Sequence, residues 1–325
     1  MSSDVFDVVL LLALPASGKS ELRRYMGHLP EERSRAELHM GPTVQLDDFP
    51  YVHFMRRIDD FLAEQGHDRI YFHGPDRSFQ DSRDWLTLVE LVNDDYAGLV
   101  SRRQSANGGA RLLFDRLEAA ALKVGIGVRL SSVDSDVLDR MAETLDSEAK
   151  ALEADIPHGV DLSGKTVVIE FARGGDHKAT PPLPYPFGYE HSLARLDERI
   201  LSRAVILYVW VTPEESRRKN DARADPNDPG SILHHGVPLE VMLGDYGCDD
   251  MASLMERSDR SGTVSIERDG RTFFLPVARF DNRSDKTSFL RGDPAQWSKD
   301  AAQAVSTELV NACAHLYEAW EGHRS

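Results

Sequence analysis

Cysteine is almost missing: Cys248 and Cys313 are the only two in 325 residues. So far apart, they form neither a disulfide framework nor a zinc-ligand pattern, and a reducing compartment is the expectation. Long hydrophobic runs are missing too. The longest apolar stretch near the start, Val8 to Leu14, has Asp4 and Asp7 before it; it is too short to cross a bilayer and lacks the Lys or Arg of a secretion signal. Positive charge is also scarce. With 38 Lys and Arg against 54 Asp and Glu the net charge is −16, which repels nucleic-acid backbones and anionic membranes unless cations gather locally. No internal repeat or low-complexity tract is present. These absences predict a cytoplasmic, enzyme-sized protein with neither a nucleic acid nor a membrane as partner.

Apolar residues make up 41% of the chain and charged residues 28%, an ordinary globular balance that excludes collagen-like, wholly disordered and membrane-embedded classes. At roughly 150 residues per domain, the length corresponds to about two units or to one α/β domain enlarged by insertions. Val5 to Leu12 is a continuous aliphatic run closed by a Pro/Ser/Gly cluster, as expected of a strand buried on both faces of a parallel sheet. A helix follows from Ser20 to about Met26. Thr43 to Leu46 closes on Asp47-Asp48 and reads as a second strand, before a helix over Tyr51 to Ala63. From Trp85 to Ile156 the pattern is helical and highly charged, with apolar positions at Leu112, Leu117 and Leu122 and at Leu138, Met141, Leu145 and Leu152. This stretch predicts a helical cap over residues 85–160.

Thr166 to Phe171 and Ala204 to Val211 read as buried strands, with a helix from Glu190 to Leu201 between them. Thr212-Pro213-Glu214-Glu215 opens another helix, with Thr as cap, Pro at the first helical position and Glu three residues after the cap. Asp225 to Pro238, rich in Pro, Gly and Asp, is a loop. Thr263 to Arg268, Asp269-Gly270 and Arg271 to Leu275 form a hairpin with a two-residue turn. Val277 to Phe280 either continues that strand past Pro276 or starts a separate one. Asp293 and Pro294 open a long amphipathic helix with Trp297, Ala301, Val305, Leu309, Ala312 and Leu316 on one stripe. Gly125 and Gly127 lack the preceding strand and third glycine of a dinucleotide fingerprint, and read as a turn.

The stretch that carries chemistry is Ala13-Leu14-Pro15-Ala16-Ser17-Gly18-Lys19-Ser20, a phosphate-binding loop pattern with Ala where the first Gly usually stands. It lies between a buried strand and a helix. There, the backbone of Pro15, Ala16, Ser17 and Gly18 and the positive helix end surround a triphosphate, Lys19 reaches its β and γ groups, and the Ser20 hydroxyl binds Mg²⁺. Ala13 is the departure, because Ala tolerates fewer backbone angles than Gly at the strand end.

On these residues the chain resembles the P-loop kinases, which include nucleoside, nucleotide and small-metabolite kinases. The resemblance implies a three-layer α/β sandwich around a mainly parallel five-stranded sheet flanked by helices. It also implies one domain over residues 1–325 with the helical insertion and a lid-like region over 213–262, and ATP with Mg²⁺ as cofactors. Gln45-Leu46-Asp47-Asp48-Phe49 looks like the acidic motif after the second strand of uridine and nicotinamide riboside kinases, so that Asp47 or Asp48 would take the proton of the attacking hydroxyl. Val167 to Arg173 looks like their third strand: Glu170 would hold Mg²⁺ or its water, and Arg173 would grip a phosphate or acidic group of the acceptor. Arg217, Arg218, Lys219 and Arg223 are similar to the lid cations that close over the phosphates. Each feature also has a plain structural reading, as a helix cap, a Glu–Arg pair at a strand end, or cations offsetting a helix dipole.

His234-His235 makes a poor metal site, since adjacent side chains diverge; it reads as an exposed loop pair that would meet substrate on lid closure. Asn282-Arg283-Ser284-Asp285 faintly resembles the guanine-reading Asn-Lys-x-Asp of GTPases, but Arg replaces Lys, leaving an ordinary turn or the base-edge loop of an ATP site. The function expected is transfer of the ATP γ-phosphate to a hydroxyl or phosphate of a small-molecule acceptor. The alternative is a nucleotide-dependent ATPase or switch acting on a partner protein.

Overall fold

Residues 4–102, 108–223 and 236–324 are described by a computed structural model of the chain. Every side chain of β1 (Val8–Leu12) is buried. Val8, Leu10 and Leu12 enter one hydrophobic cluster and Val9 and Leu11 another, because successive strand residues point to opposite faces. The chain continues through α1 (Lys19–Gly27), α2 (Glu31–Leu38), β2 (Thr43–Asp47), α3 (Phe49–Glu64), α4 (Asp84–Val100), α5 (Gly109–Lys123), α6 (Ser135–Asp155) and β3 (Thr166–Phe171). Then follow α7 (Gly188–Arg195), α8 (Glu198–Leu201), β4 (Ala204–Trp210), α9 (Pro213–Arg223), α10 (Leu239–Gly244), α11 (Met251–Arg257), β5 (Thr263–Arg268), β6 (Arg271–Asp281) and α12 (Lys299–Arg324).

The sheet has six strands in the order β2-β3-β1-β4-β6-β5, not the expected five. All neighbours are parallel except β5 and β6. The extra edge strand comes from the expected hairpin, whose turn residues Asp269 and Gly270 take φ of 49° and 74°, the left-handed pair that a tight antiparallel turn requires. β6 is continuous across Pro276: Arg271 to Pro276 pairs with β5, and Val277 to Asp281 with β4. Proline, which has no N–H for a ladder, thus sits where the pairing passes from one neighbour to the other.

One face of the sheet is covered by α1, α2 and α12, with Val305, Leu309, Ala312 and Leu316 of α12 in the shared cluster. The other face is covered by α4, α7, α8 and α11, and Val89, Val92 and Tyr96 of α4 lie with Val8, Val44 and Val167. The opposite side of α4, with Trp85, Leu88 and Leu91, joins α3, α5, α6 and α10 in a third cluster. α4 is therefore a wall shared by the sheet and the cap, so the expected helical insertion is anchored to the sheet through its first helix. Each of these buried aliphatic or aromatic side chains contributes about 1.5–3 kcal/mol relative to exposure. On α5 the buried stripe is Leu113, Phe114, Leu117 and Ala120. Leu122, expected on that stripe, is 54% exposed, because a 3.6-residue repeat carries it to the outer side.

Local chemistry sets several boundaries. The Thr212 hydroxyl accepts from the Glu215 amide at 3.2 Å and starts α9 as the sequence predicts. The single helix expected over Glu190 to Leu201 is instead broken into α7 and α8, because Asp197 accepts from the Arg199 amide at 2.8 Å and starts a new turn. Asp293 caps only a short 3₁₀ turn, through the Ala295 amide at 3.0 Å, and the long helix begins later, at Lys299.

Candidate functional site

Parallel register brings three strand ends together. Leu11 of β1 lies beside Glu170 of β3, and Glu170 lies beside Asp47 of β2. The Ala13–Ser20 loop leaves β1 at this edge and turns into α1. Its left-handed residues are Ala16 (φ 52°) and Gly18 (φ 102°), so the unusual backbone angles fall after Ala13 rather than on it. A side chain at Gly18 would come within 2.3 Å of Thr287 Oγ1 and 2.6 Å of Asn282 Nδ2, so only glycine fits. Left-handed residues alternating with right-handed ones gather amides into a concave nest for anions. The N-terminus of α1, whose first N–H groups have no intrahelical acceptor, adds to its positive potential. Lys19 folds back so that Nζ donates to the Ala13 carbonyl at 3.4 Å. Among the described residues Ser17 Oγ, though buried, has no hydrogen-bond partner.

The loop is braced from behind. Asn282 is completely buried; its Nδ2 donates to the Ser17 carbonyl at 2.6 Å and to Thr287 Oγ1 at 2.8 Å, and its Oδ1 accepts from the Lys286 amide at 2.7 Å. The Asn282–Asp285 turn therefore supports the Ala13–Ser20 loop. From α9, Ser216 Oγ donates to the Pro15 carbonyl at 2.7 Å. Lys219, only 1% exposed, pairs with Asp285 at 2.8 Å and reaches Thr287 Oγ1 at 3.3 Å. The lid-like cations point elsewhere: Arg218 pairs with Glu215 at 2.7 Å and Asp285 at 3.2 Å, and Arg217 with Glu214 at 3.3 Å. Neither lines the cavity described below. Arg223 ends α9, but its side chain lies outside the described residues, as do His234, His235 and residues 224–235 as a whole.

Beside the loop is an acidic corner. Glu170 pairs with Arg23 at 3.0 Å, and Arg23 reaches Asp47 at 3.9 Å. Asp48 pairs with Arg173 at 2.7 Å. Arg173 is buried, donates to the Trp85 carbonyl at 2.9 Å and has its guanidinium 5.3 Å from the Trp85 ring centre. It is thus a partner for Asp48 behind the cavity wall, not a group facing an acceptor. Burial, with the negative charges of Glu170 and Asp48 beside it, pushes the Asp47 carboxyl up to about 8, against the opposing pull of the Phe49 amide and Arg23. The Phe49 amide donates to Asp47 Oδ1 at 2.9 Å and fixes the side chain's orientation.

A single cavity of about 360 Å³ connects these parts. Pro15 to Ser20 form one end, Asp47, Asp48 and Glu170 the side, and aromatic residues of the cap and α10 region the other end. Among the described residues no cluster of three His, Cys, Asp or Glu could cage a metal. Mg²⁺ does not need one, since it takes one or two protein ligands and completes its octahedron with waters and substrate phosphate. Ser20 and Glu170 both line the cavity, beside the Asp47 carboxyl that burial holds raised.

The sequence reading missed several contributors. Arg23 stands one helical turn after Lys19 on α1, so i,i+4 spacing could have revealed it. Ser216, Thr287, Asp245 and the aromatic end are assembled from segments far apart in the chain and leave no local signal. Among the described residues no helix is long and apolar enough to cross a membrane. No family model matches the chain, and no curated protein or solved structure matches it either.

Proposed function

We propose that this chain is an ATP·Mg²⁺-dependent phosphotransferase of the P-loop kinase type, acting on a hydroxyl of a small molecule. The observation that carries this reading is the single cavity in which the Ala13–Ser20 loop and Asp47 meet. The amides around Ala16 to Ser20 and the Lys19 ammonium bind and orient the triphosphate. Asp47 faces the same space and takes the proton of the attacking hydroxyl; its raised carboxyl is a stronger base than an ordinary aspartate. Arg23 holds Glu170 in place through their 3.0 Å pair. Arg173 anchors Asp48, which fixes the strand end carrying Asp47. The Ser20 hydroxyl and Glu170 would hold Mg²⁺, which when bound neutralises charge on the β and γ oxygens. The aromatic end excludes bulk water, favouring transfer to the acceptor over hydrolysis.

ADP release from ATP·Mg²⁺ across a panel of small hydroxyl compounds tests the reading. Turnover that depends on an acceptor is expected, with Lys19→Ala abolishing it and Asp47→Asn slowing it while nucleotide affinity persists. Acceptor-independent hydrolysis that responds to an added protein would replace this reading with the nucleotide switch.

A further inference from the structure

The end of the cavity away from Lys19 is walled by linked rings. Phe72 and Phe79 stack with centroids 4.4 Å apart, Phe79 meets Trp85 edge-on at 4.9 Å, and Trp85 meets Tyr246 edge-on at 5.4 Å. All four line the cavity. Beside Tyr246 in the same wall is Asp245, only 6% exposed. A hydrogen bond from Ser78 reaches its carboxylate, yet Oδ2 has no partner among the described residues. A buried carboxylate oxygen without a donor is costly, and Asp245 belongs to neither the loop nor the acidic corner. Arg56 supplies positive charge nearby, but its guanidinium stacks 3.9 Å from the Phe72 ring centre and donates to the Pro75 and Arg77 carbonyls at 2.6 and 3.1 Å. With that cation in place, the group that completes Asp245 is a neutral hydrogen-bond donor, and the rings beside it offer flat apolar surface.

We infer that the acceptor carries a flat unsaturated ring with an amino or ring N–H group, which lies against the Phe72–Tyr246 wall and donates to the Asp245 carboxylate while its hydroxyl faces Asp47. The placement of the hydroxyl rests on the phosphotransfer reading; recognition of the ring does not.

The test uses the full chain without nucleotide and three probes: 4-aminobenzyl alcohol, 4-methylbenzyl alcohol and cyclohexylmethanol. Affinities are read by NMR titration. A buried carboxylate bond makes the amino probe bind about tenfold tighter than its methyl counterpart, with cyclohexylmethanol weakest. Asp245→Ala erases the amino preference and leaves methyl-probe binding unchanged, and Asp245→Asn, which keeps an acceptor oxygen, retains part of the preference. Equal affinity for the amino and methyl probes in the unmutated protein, or a preference that survives Asp245→Ala, overturns the inference. The native comparison needs no variant, so a poorly folding substitution does not obscure the outcome. Because ATP is absent, these results stand apart from the kinase assay and are read even if no nucleotide ever binds.

Discussion

Asn282 offers a test of whether the turn after β6 holds the Ala13–Ser20 loop in shape. Asn282→Ala removes three hydrogen bonds and leaves the carbonyl of buried Ser17 without the amide that served it, while the Thr287 hydroxyl keeps the Lys219 ammonium at 3.3 Å. An interior polar group stripped of its partner costs about 1–3 kcal/mol, and the partly exposed Lys286 amide recovers a bond to water. The Ser17 carbonyl therefore sets a loss of about 1–3 kcal/mol. At roughly 2 °C per kcal/mol for a chain of this size, the melting temperature falls by about 2–6 °C. Arg283→Ala is the neighbouring control: it loses its exposed pair with Asp281 at 2.7 Å and its packing over the Trp210 ring, but no bond to the Ala13–Ser20 loop. Asn282→Asp is worse than Ala at neutral pH, because a carboxylate then faces the Ser17 carbonyl. Calorimetric melting of the three variants decides the matter. If Asn282→Ala melts within a degree of the unmutated protein, alongside Arg283→Ala, the turn does not brace the loop and the reasoning is refuted.

Gly18→Ala forces a Cβ into Thr287 and Asn282 at a φ of 102°; a loss of more than about 2 kcal/mol is expected, together with loss of triphosphate binding by calorimetry, and normal binding would exclude the nest. If Asp47 is the base, the rate rises with pH through a limb at or below the metal-free value of about 8, because Mg²⁺ at Glu170 would favour the charged carboxylate; Arg23→Gln moves that limb upward, and Asp47→Asn flattens it while lowering the rate about 10²–10⁴-fold. The linkage sign is also checkable. The folded Asp47 carboxyl titrates above its ordinary value of 3.8, so its contribution to stability is present at acid pH and lost as pH rises toward 8. Asp47→Asn therefore raises the melting temperature at pH 8.5 more than at pH 5, and the reverse order would contradict the shift. Asp59 is buried and accepts the amides of Ile70, Tyr71 and Phe72 at 2.8, 3.1 and 2.8 Å; Asp59→Ala costs about 2–4 kcal/mol by leaving these amides unsatisfied, and weakens probe binding at Phe72 in the same NMR titration.

Much of the sheet was legible because its strands are buried on both faces and read as unbroken aliphatic runs. β1, β3 and β4 fall where Val5 to Leu12, Thr166 to Phe171 and Ala204 to Val211 predict them. Helix starts were legible where a side chain supplies the cap, as at Thr212, and misread where a cap is followed by only a short turn, as at Asp293. α2 gave no signal, since only Leu38 of its side chains is buried and its remaining residues carry no apolar period. For the candidate site, the Ala13–Ser20 loop and the Asp47–Asp48 strand end could be read because each is continuous in sequence. Arg173 could be located but not oriented: that it turns to Asp48 and Trp85 depends on α4 lying against β3, which no local pattern encodes. The wall from Phe72 to Tyr246 was invisible for the same reason.

Charge decides how an acidic chain could hold a polyanion. At the loop end, Lys19 and the helix terminus are positive, but Asp47, Asp48 and Glu170 stand across the same cavity, opposed by Arg23 and Arg173. Arg173 is consumed by Asp48 behind the wall, and Arg23 is shared between two carboxylates at 3.0 and 3.9 Å. Burial first, and then Glu170 and Asp48, raise the Asp47 carboxyl to about 8, so the corner gains its third negative charge only as pH rises toward that value. Under the proposed function, a triphosphate brought in alone at such a pH would meet uncompensated negative charge across the cavity, whereas the same triphosphate carrying a divalent cation presents positive charge to the carboxylates and negative charge to the loop. On that proposal, this arrangement of signs favours a metal-complexed nucleotide over the bare anion once Asp47 is charged. Under the proposed function, chelation of magnesium should weaken nucleotide binding itself and not merely stop turnover.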